Sequence, residues 1–327
     1  MSRRMGRAAA RGAAFCACLA IVAVGWTGRP TAQGWMPPPP EKRCPSQWGA
    51  DDERGAANLQ TPESVLAAAR LIRDGKMYDL GKVLDRTIPM SPGRSFVLNL
   101  QRTSGPNGRN QQGGNEETVF TELGQMGTQF DGLAHQQLGP YLYNCVEAEK
   151  VARRGGFTKL GVEKAGSFFS RGVLLDIAAL KGVDMLADDY MITVADLEAA
   201  MKQANVEIRK GDAVLIRTGW GRLWTVDNAR FIKGEPGIGL EAADFLVKRN
   251  VMIVGSDNWA VEVRPYPDKG LFLPVHGFLL NVNGVYLIEN LDLEELARDK
   301  THEFAFVVEP LKLRGGTGSS VAPIAVK

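Results

Sequence analysis

Gln125-Met126-Gly127-Thr128-Gln129-Phe130-Asp131-Gly132-Leu133-Ala134-His135 is the densest run of chemistry-bearing side chains in the sequence. Positions 125, 129, 131 and 135 all carry groups able to bind a metal ion or move a proton. The chain has only three histidines, His135, His276 and His302, so each can be weighed separately. A lone histidine is more often a satisfied structural residue than a ligand. His302, just ahead of Glu303-Phe304-Ala305-Phe306, is read that way. Glu289 is harder to dismiss. It directly follows the apolar run Val285-Tyr286-Leu287-Ile288, and a carboxylate there needs a buried partner or a function.

Several kinds of chemistry are excluded by missing motifs. The sequence has no Gly-x-Ser-x-Gly elbow, phosphate loop or His-Glu-x-x-His helix. Gly237-Ile238-Gly239 lacks the third glycine and the preceding strand of a dinucleotide fingerprint, and Gly315 to Gly318 lacks the lysine of a P-loop. Both are read as turns.

Around the cluster, helix and strand signals alternate. Thr61-Pro62 opens a helix in which Val65, Ala68, Ala69 and Ile72 share a face until Gly75 stops it. Thr193 with Asp196 opens another, carrying Leu197, Ala200, Met201 and Ala204. Leu240 to Arg249 and Asp292 to Arg298 are further helices. Strands are expected at Val173 to Ile177, Ala213 to Thr218, Val251 to Gly255, Val285 to Ile288 and Phe304 to Val308. Strands mixed with helices at this spacing predict an α/β or α+β domain. Thr103 to Glu117, rich in Gly, Asn and Gln, reads as a mobile surface loop. Asp257 and Trp259 follow a buried strand, where α/β proteins place their sites. Trp220 and Trp224 are candidate walls for a flat substrate, with core packing as the alternative.

At 327 residues, 44% hydrophobic and 23% charged, the composition is that of a globular protein with a substantial core. Residues 1–33 read as a signal peptide: Arg3, Arg4, Arg7 and Arg11 precede an apolar run from Ala13 to Trp26, then Thr31-Ala32-Gln33. The apolar run is short for a membrane span of ~20 residues. Sec and Tat export both remain open. A Pro-rich linker, 34–47, and one domain, 48–327, follow. Five of the 39 basic residues and none of the 37 acidic ones lie in the leader, so the mature chain carries 34 against 37. That balance argues against a nucleic-acid partner, and loss of the leader removes any membrane segment. Cys44 and Cys145 remain after cleavage and permit one disulfide in a periplasmic or secreted protein. Two cysteines without ligand spacing exclude a structural zinc knot.

The cluster at 125–135 resembles the metal motif of the cyclase family, the group of bacterial kynurenine formamidase and isatin hydrolase, which runs His-x-Gly-Thr-His-x-Asp-x-Pro-x-His. Gly127, Thr128, Asp131 and His135 match it. Gln125 and Gln129 stand where the family has two histidine ligands, and Leu133 where it has proline. The likeness extends to Gly211-Asp212-Ala213-Val214-Leu215-Ile216-Arg217-Thr218-Gly219-Trp220, to Pro274-Val275-His276 with Leu287 to Leu291, and to Arg314 through Ala325. It covers the chain from about Trp48 onward.

This resemblance implies the family's swivelling β/β/α domain, a mixed sheet with flanking helices, in subunits that form homodimers or higher oligomers. It implies a hydrolase acting on a non-peptide C–N bond of a small molecule. Asp131, His276 and Glu289 would be metal ligands, and His135 the catalytic proton carrier. Two glutamines in place of imidazoles leave mainly oxygen donors. One divalent ion is therefore expected, Mn²⁺ ahead of Zn²⁺, with Gln125 and Gln129 as further ligands or as groups that bind substrate or water. The competing expectations are a lactone hydrolase, a cyclase-dehydratase, and a periplasmic binding protein that has lost its metal.

Overall fold

Long apolar runs interrupted by glycine turns place the strands. In the computed structural model, which describes residues 34–327, the runs assemble into one mixed sheet in the order Met77–Asp79, Ile324–Val326, Glu303–Val308, Phe168–Asp176, Ala213–Arg217, Ile253–Ser256, Tyr286–Glu289, Gln129–Asp131 and Gly318–Ser320. The expected signal peptide, 1–33, lies outside the described residues. Four neighbouring strands, from Phe168–Asp176 to Tyr286–Glu289, run parallel, and antiparallel strands flank them on both sides. Val173, Leu174, Leu175, Val214, Leu215, Ile253 and Val254 are all buried, as parallel strands covered on both faces require.

The helices begin where their caps predict. The Thr61 hydroxyl accepts from Ser64 N, while the Ser64 hydroxyl accepts from Thr61 N, at the start of Pro62–Ala69. Thr193 and Asp196 form the equivalent box ahead of Val194–Ala204, which ends on Asn205 in a left-handed conformation. The first helix stops earlier than its apolar periodicity suggests. Leu71 N and Ile72 N bond to Ala68 O and Ala69 O, a tightening to three-residue turns that ends the helix before Gly75. The fourth expected helix begins at Glu294, two residues inside Asp292.

Two stretches differ from the sequence expectation. The segment read as a mobile loop is a hairpin: Phe96–Asn107 pairs antiparallel with Gln112–Thr121. Its glycines are spaced through a two-sided exposed ribbon, so no buried face gives the alternation by which a strand is recognised. The stretch 34–47, read from its prolines as a linker, contains the helix Pro40–Arg43, and its contacts with the domain include a disulfide and a backbone hydrogen bond. Cys44 is disulfide-bonded to Cys145, 101 residues away, and Ser46 N donates to Asn144 Oδ1 at 2.7 Å. No helix among the described residues is long and apolar enough to cross a membrane.

Closing a loop of 101 residues stabilises mainly by restricting the unfolded chain, by about 4–5 kcal/mol in the chain-entropy account and about 2–5 in practice. Replacing both cysteines by serine is therefore expected to lower the urea midpoint by that much stability. Reduction should do the same to the unmodified protein and nothing further to the variant.

Candidate metal centre

The strand Gln129–Asp131 pairs antiparallel with Tyr286–Glu289, Gln129 opposite Glu289 and Asp131 opposite Leu287. Strand alternation then sends Gln129, Asp131 and Glu289 to one face and Phe130 and Ile288 to the other. On the far face Phe130 packs against Tyr286 and Phe168, with ring centroids 4.9 and 5.4 Å apart. Two small motif residues fix the approach to this strand. Gly127 has φ +68°, and a Cβ there would meet Leu84 Cδ2 at 2.1 Å. The Thr128 hydroxyl donates to Asn290 O at 2.7 Å and accepts from Lys82 N at 2.8 Å. After the strand, His135 N bonds to Gly132 O, a turn that brings the ring back over Asp131.

Asp131, His135 and His276 converge, each offering one ligand atom within 4.8 Å of the others. Both Nε2 atoms lie 3.7 Å from Asp131 Oδ2. That oxygen is buried and has no hydrogen-bond partner, an arrangement that costs a buried carboxylate dearly. Ligands around a tetrahedral ion with bonds of roughly 2.1 Å are separated by about 3.4 Å, close to the spacing observed.

The hydrogen bonding around His276 points the same way. Glu262, fully buried, accepts from Val275 N, from His276 N and, at 2.6 Å, from His276 Nδ1. A proton on Nδ1 leaves the Nε2 lone pair facing Asp131 Oδ2 and, at 3.1 Å, Glu289 Oε1. Three electron-rich atoms converge there, and a second proton on His276, a proton on Glu289 or a cation would compensate. Burial opposes charge on His276, but its bonds to Glu262 and Glu289 outweigh burial and hold the imidazole well above its ordinary range. Burial, seconded by Asp131, pushes Glu289 upward, and burial pushes His135 downward. The residues present therefore fit a divalent cation.

The expected site residues divide into two groups. Asp131, His135, His276, Glu289, Gln125 and Gln129 come together. His135, expected as a proton carrier, lies as near Asp131 Oδ2 as His276 does, and Glu289, expected as a ligand, lies against His276. Gln129 Nε2 donates to Glu289 Oε2 at 2.6 Å, and its Oε1 has no partner. Gln125 Nε2 lies 3.1 Å from His135 Nδ1.

A cavity of about 260 Å³ opens over the cluster, lined by His135, His276, Glu289, Gln125 and Trp259 among others. Trp220 and Asp257 are not in its lining. Trp220 is fully buried with Leu223 and Phe231, and its indole N–H donates to Phe231 O. Asp257 accepts from Thr218 N, Thr218 Oγ1 and Gly219 N, holding the glycine turn after Ala213–Arg217. Both belong to the scaffold, where a bulky indole and a turn-capping carboxylate are satisfied without a ligand.

Sequence reasoning passed over Glu262, Arg94 and Arg264. A signal for Glu262 was available, since a carboxylate inside Ala260-Val261-Glu262-Val263 raises the same question as Glu289. The arginines lie in irregular segments with no pattern to mark them.

Comparison with known proteins adds the following. The Cyclase family model, described as "Putative cyclase", matches residues 78–263. A crystal structure described as a novel cyclase is 38% identical, covering 88% of this chain and 99% of its own, with a TM-score of 0.81. Isatin hydrolase A from Ralstonia solanacearum is similar at 24% identity, covering 82% of this chain and 98% of its own, with a TM-score of 0.57. Isatin hydrolase A from Labrenzia aggregata is similar at 21% identity, covering 79% and 94%, with a TM-score of 0.55. The latter two likenesses concern the fold. None of the curated proteins matches the chain.

Glu262 touches no ligand position itself but fixes the tautomer and direction of His276, as outer carboxylates do for metal-bound imidazoles. Glu262→Gln is expected to weaken metal binding about 10–100-fold in equilibrium dialysis while the protein stays folded. Asp257→Ala should show the reverse, lower thermal stability with metal affinity of the folded protein unchanged.

Proposed function

The chain belongs to the Cyclase family, and from that premise we propose that it is a metal-dependent hydrolase that cleaves a non-peptide carbon–nitrogen bond in a small formamide, cyclic amide or similar compound. The observation that carries this reading is the unpartnered Asp131 Oδ2, faced by two imidazoles on the floor of a cavity.

Asp131 Oδ2, His135 Nε2 and His276 Nε2 would hold the ion, with Glu262 keeping the Nδ1 proton of His276 in place so that Nε2 would be free to bind. A divalent ion in this cluster supplies a Lewis acid for a carbonyl oxygen and lowers the pKa of water toward about 7. With His135 among the ligands the donor set is two nitrogens and an oxygen, which suits Zn²⁺ as well as the Mn²⁺ expected from an oxygen-rich set. Glu289, lining the cavity beside the triad, takes the proton from the attacking water at Oε1 and returns it to the leaving nitrogen. Its raised affinity for a proton, a consequence of burial, suits that exchange near neutral pH. The Gln129 amide at Oε2 fixes the carboxylate plane. The disulfide between Cys44 and Cys145 supports the exported, oxidising location expected from the leader.

Metal analysis of the purified protein should find about one divalent ion per chain. Asp131→Ala and His276→Ala should lose both the metal and hydrolysis of a formamide and lactam panel. Glu289→Gln should retain the metal and lose about 10²–10⁴-fold in kcat. Loss of metal from Glu289→Gln would make Glu289 a ligand. A wild-type protein that stays metal-free and inert after reconstitution with Mn²⁺ and with Zn²⁺ would overturn the hydrolase reading.

A further inference from the structure

Two arginines share the wall of the cavity above the metal cluster, Arg94 and Arg264. The Arg264 guanidinium carbon lies 4.2 Å from the centre of the Trp259 ring, and that of Arg94 lies 5.9 Å from it. An indole face under a guanidinium restrains its plane while leaving the N–H edge free. Trp259 is itself fixed, its backbone N–H donating to the buried Glu235 at 2.7 Å. Arg264 is anchored through its backbone, paired in both directions with Glu235.

The donors of these side chains are unequally engaged. Arg94 gives Nη1 to Gln125 O and Nη2 to Gln125 Oε1, at 3.2 and 3.1 Å. No hydrogen bond among the described residues engages the Arg264 guanidinium. Its nearest carboxylate contact is Glu235 Oε1, a loose 3.9 Å away. Burial pushes the Glu235 carboxyl up to about 8, so near neutral pH it carries little charge to offset Arg264. An adjoining cleft of about 280 Å³, which shares Arg264, Phe272 and Leu273 with the cavity, adds Lys233 and Lys269. Arg264 thus stands where the two cavities adjoin, with Arg94 on one side and Lys233 and Lys269 on the other, against Glu289 and Glu262 in the same walls.

We infer that the substrate carries an anionic group, a carboxylate, and that the free N–H edge of Arg264, with Arg94 beside it, holds that group while the scissile bond lies over Asp131, His135 and His276. This rests on the hydrolase reading only in taking the cavity as the substrate site. Guanidinium and carboxylate match as planar two-point partners, and a partly enclosed site strengthens the pair relative to water. Trp259 acts here as a positioning residue for Arg264.

The test measures binding, so it does not depend on turnover. The probes are 3-acetylbenzoate and 1,3-diacetylbenzene, which are similar in shape, lack any hydrolysable bond and differ in one charge. Titration calorimetry on the metal-loaded protein is expected to show the acid binding about tenfold tighter or more, with the advantage shrinking as salt is raised. Arg264→Gln should remove most of the advantage and Arg264→Lys restore part of it. Arg94→Gln should have the smaller effect, and diacetylbenzene should bind all variants alike, which reports an intact cavity. Equal affinities in the wild type, no measurable binding of either probe, or an undiminished preference in the Arg94→Gln/Arg264→Gln double variant would overturn the inference. The last result would place the anion on the metal. Anion preference without hydrolysis of any amide would remove the hydrolase reading and leave the carboxylate-binding role of Arg264 standing.

Discussion

Backbone pairing of Gln129–Asp131 against Leu287–Glu289 is the constraint on which the site depends. It forces Gln129, Asp131 and Glu289 onto one buried face, and Gly127, Thr128 and Asn290 prevent it from slipping: Asn290 Nδ2 donates to Gly127 O while Thr128 Oγ1 donates to Asn290 O. A one-residue shift would turn Asp131 toward the aromatic packing of Phe130, Phe168 and Tyr286 and put a phenyl ring among the imidazoles. The same aromatic packing on the opposite face makes that shift costly.

Once those carboxylates are committed to the interior, electrostatics narrows what else can be there. Asp131, Glu262 and Glu289 are buried around His276, with His135 at the cavity side. Asp131 Oδ2 has no hydrogen-bond partner there, and burial seconded by Asp131 raises the proton affinity of Glu289. Buried like charges of this kind are tolerated in folded proteins when a cation or a proton is shared among them. The cluster therefore reads as a cation site because of its charge as well as its geometry.

Much of this was legible in the sequence, and what was not has identifiable causes. Cap signals at Thr61 and Thr193 and the apolar strands predicted an α/β or α+β domain, because those signals act over a few residues, and the family resemblance implied the mixed sheet. Asp131, His135, His276 and Glu289, which the family resemblance implied, are brought together in the structure. The turn at Gly132 that carries His135 and the cross-strand bond from Gln129 to Glu289 were not legible, because each depends on the fold. The hairpin at Phe96–Thr121 gave no sign of itself, since neither of its faces is buried enough to alternate. Trp220 and Asp257 sit at a strand end of the expected kind, yet their polar atoms are used up by Phe231 O and by the Thr218-Gly219 turn. A strand end proposes a site, and only free polar atoms facing a cavity make one.

Gln125 and Gln129 are tied into the candidate site by hydrogen bonds. Gln129 uses its amide nitrogen to hold Glu289, a bond that a neutral imidazole with its proton elsewhere would not make. Gln125 connects the two ends of the cavity: Oε1 accepts from Arg94, and Nε2 faces His135. Because an amide has a donor and an acceptor at fixed angles, the Arg94 bond determines which face Gln125 presents to His135. An anion that draws Arg94 away from Gln125 would free that amide to rotate and change the hydrogen bonding of a metal-binding imidazole.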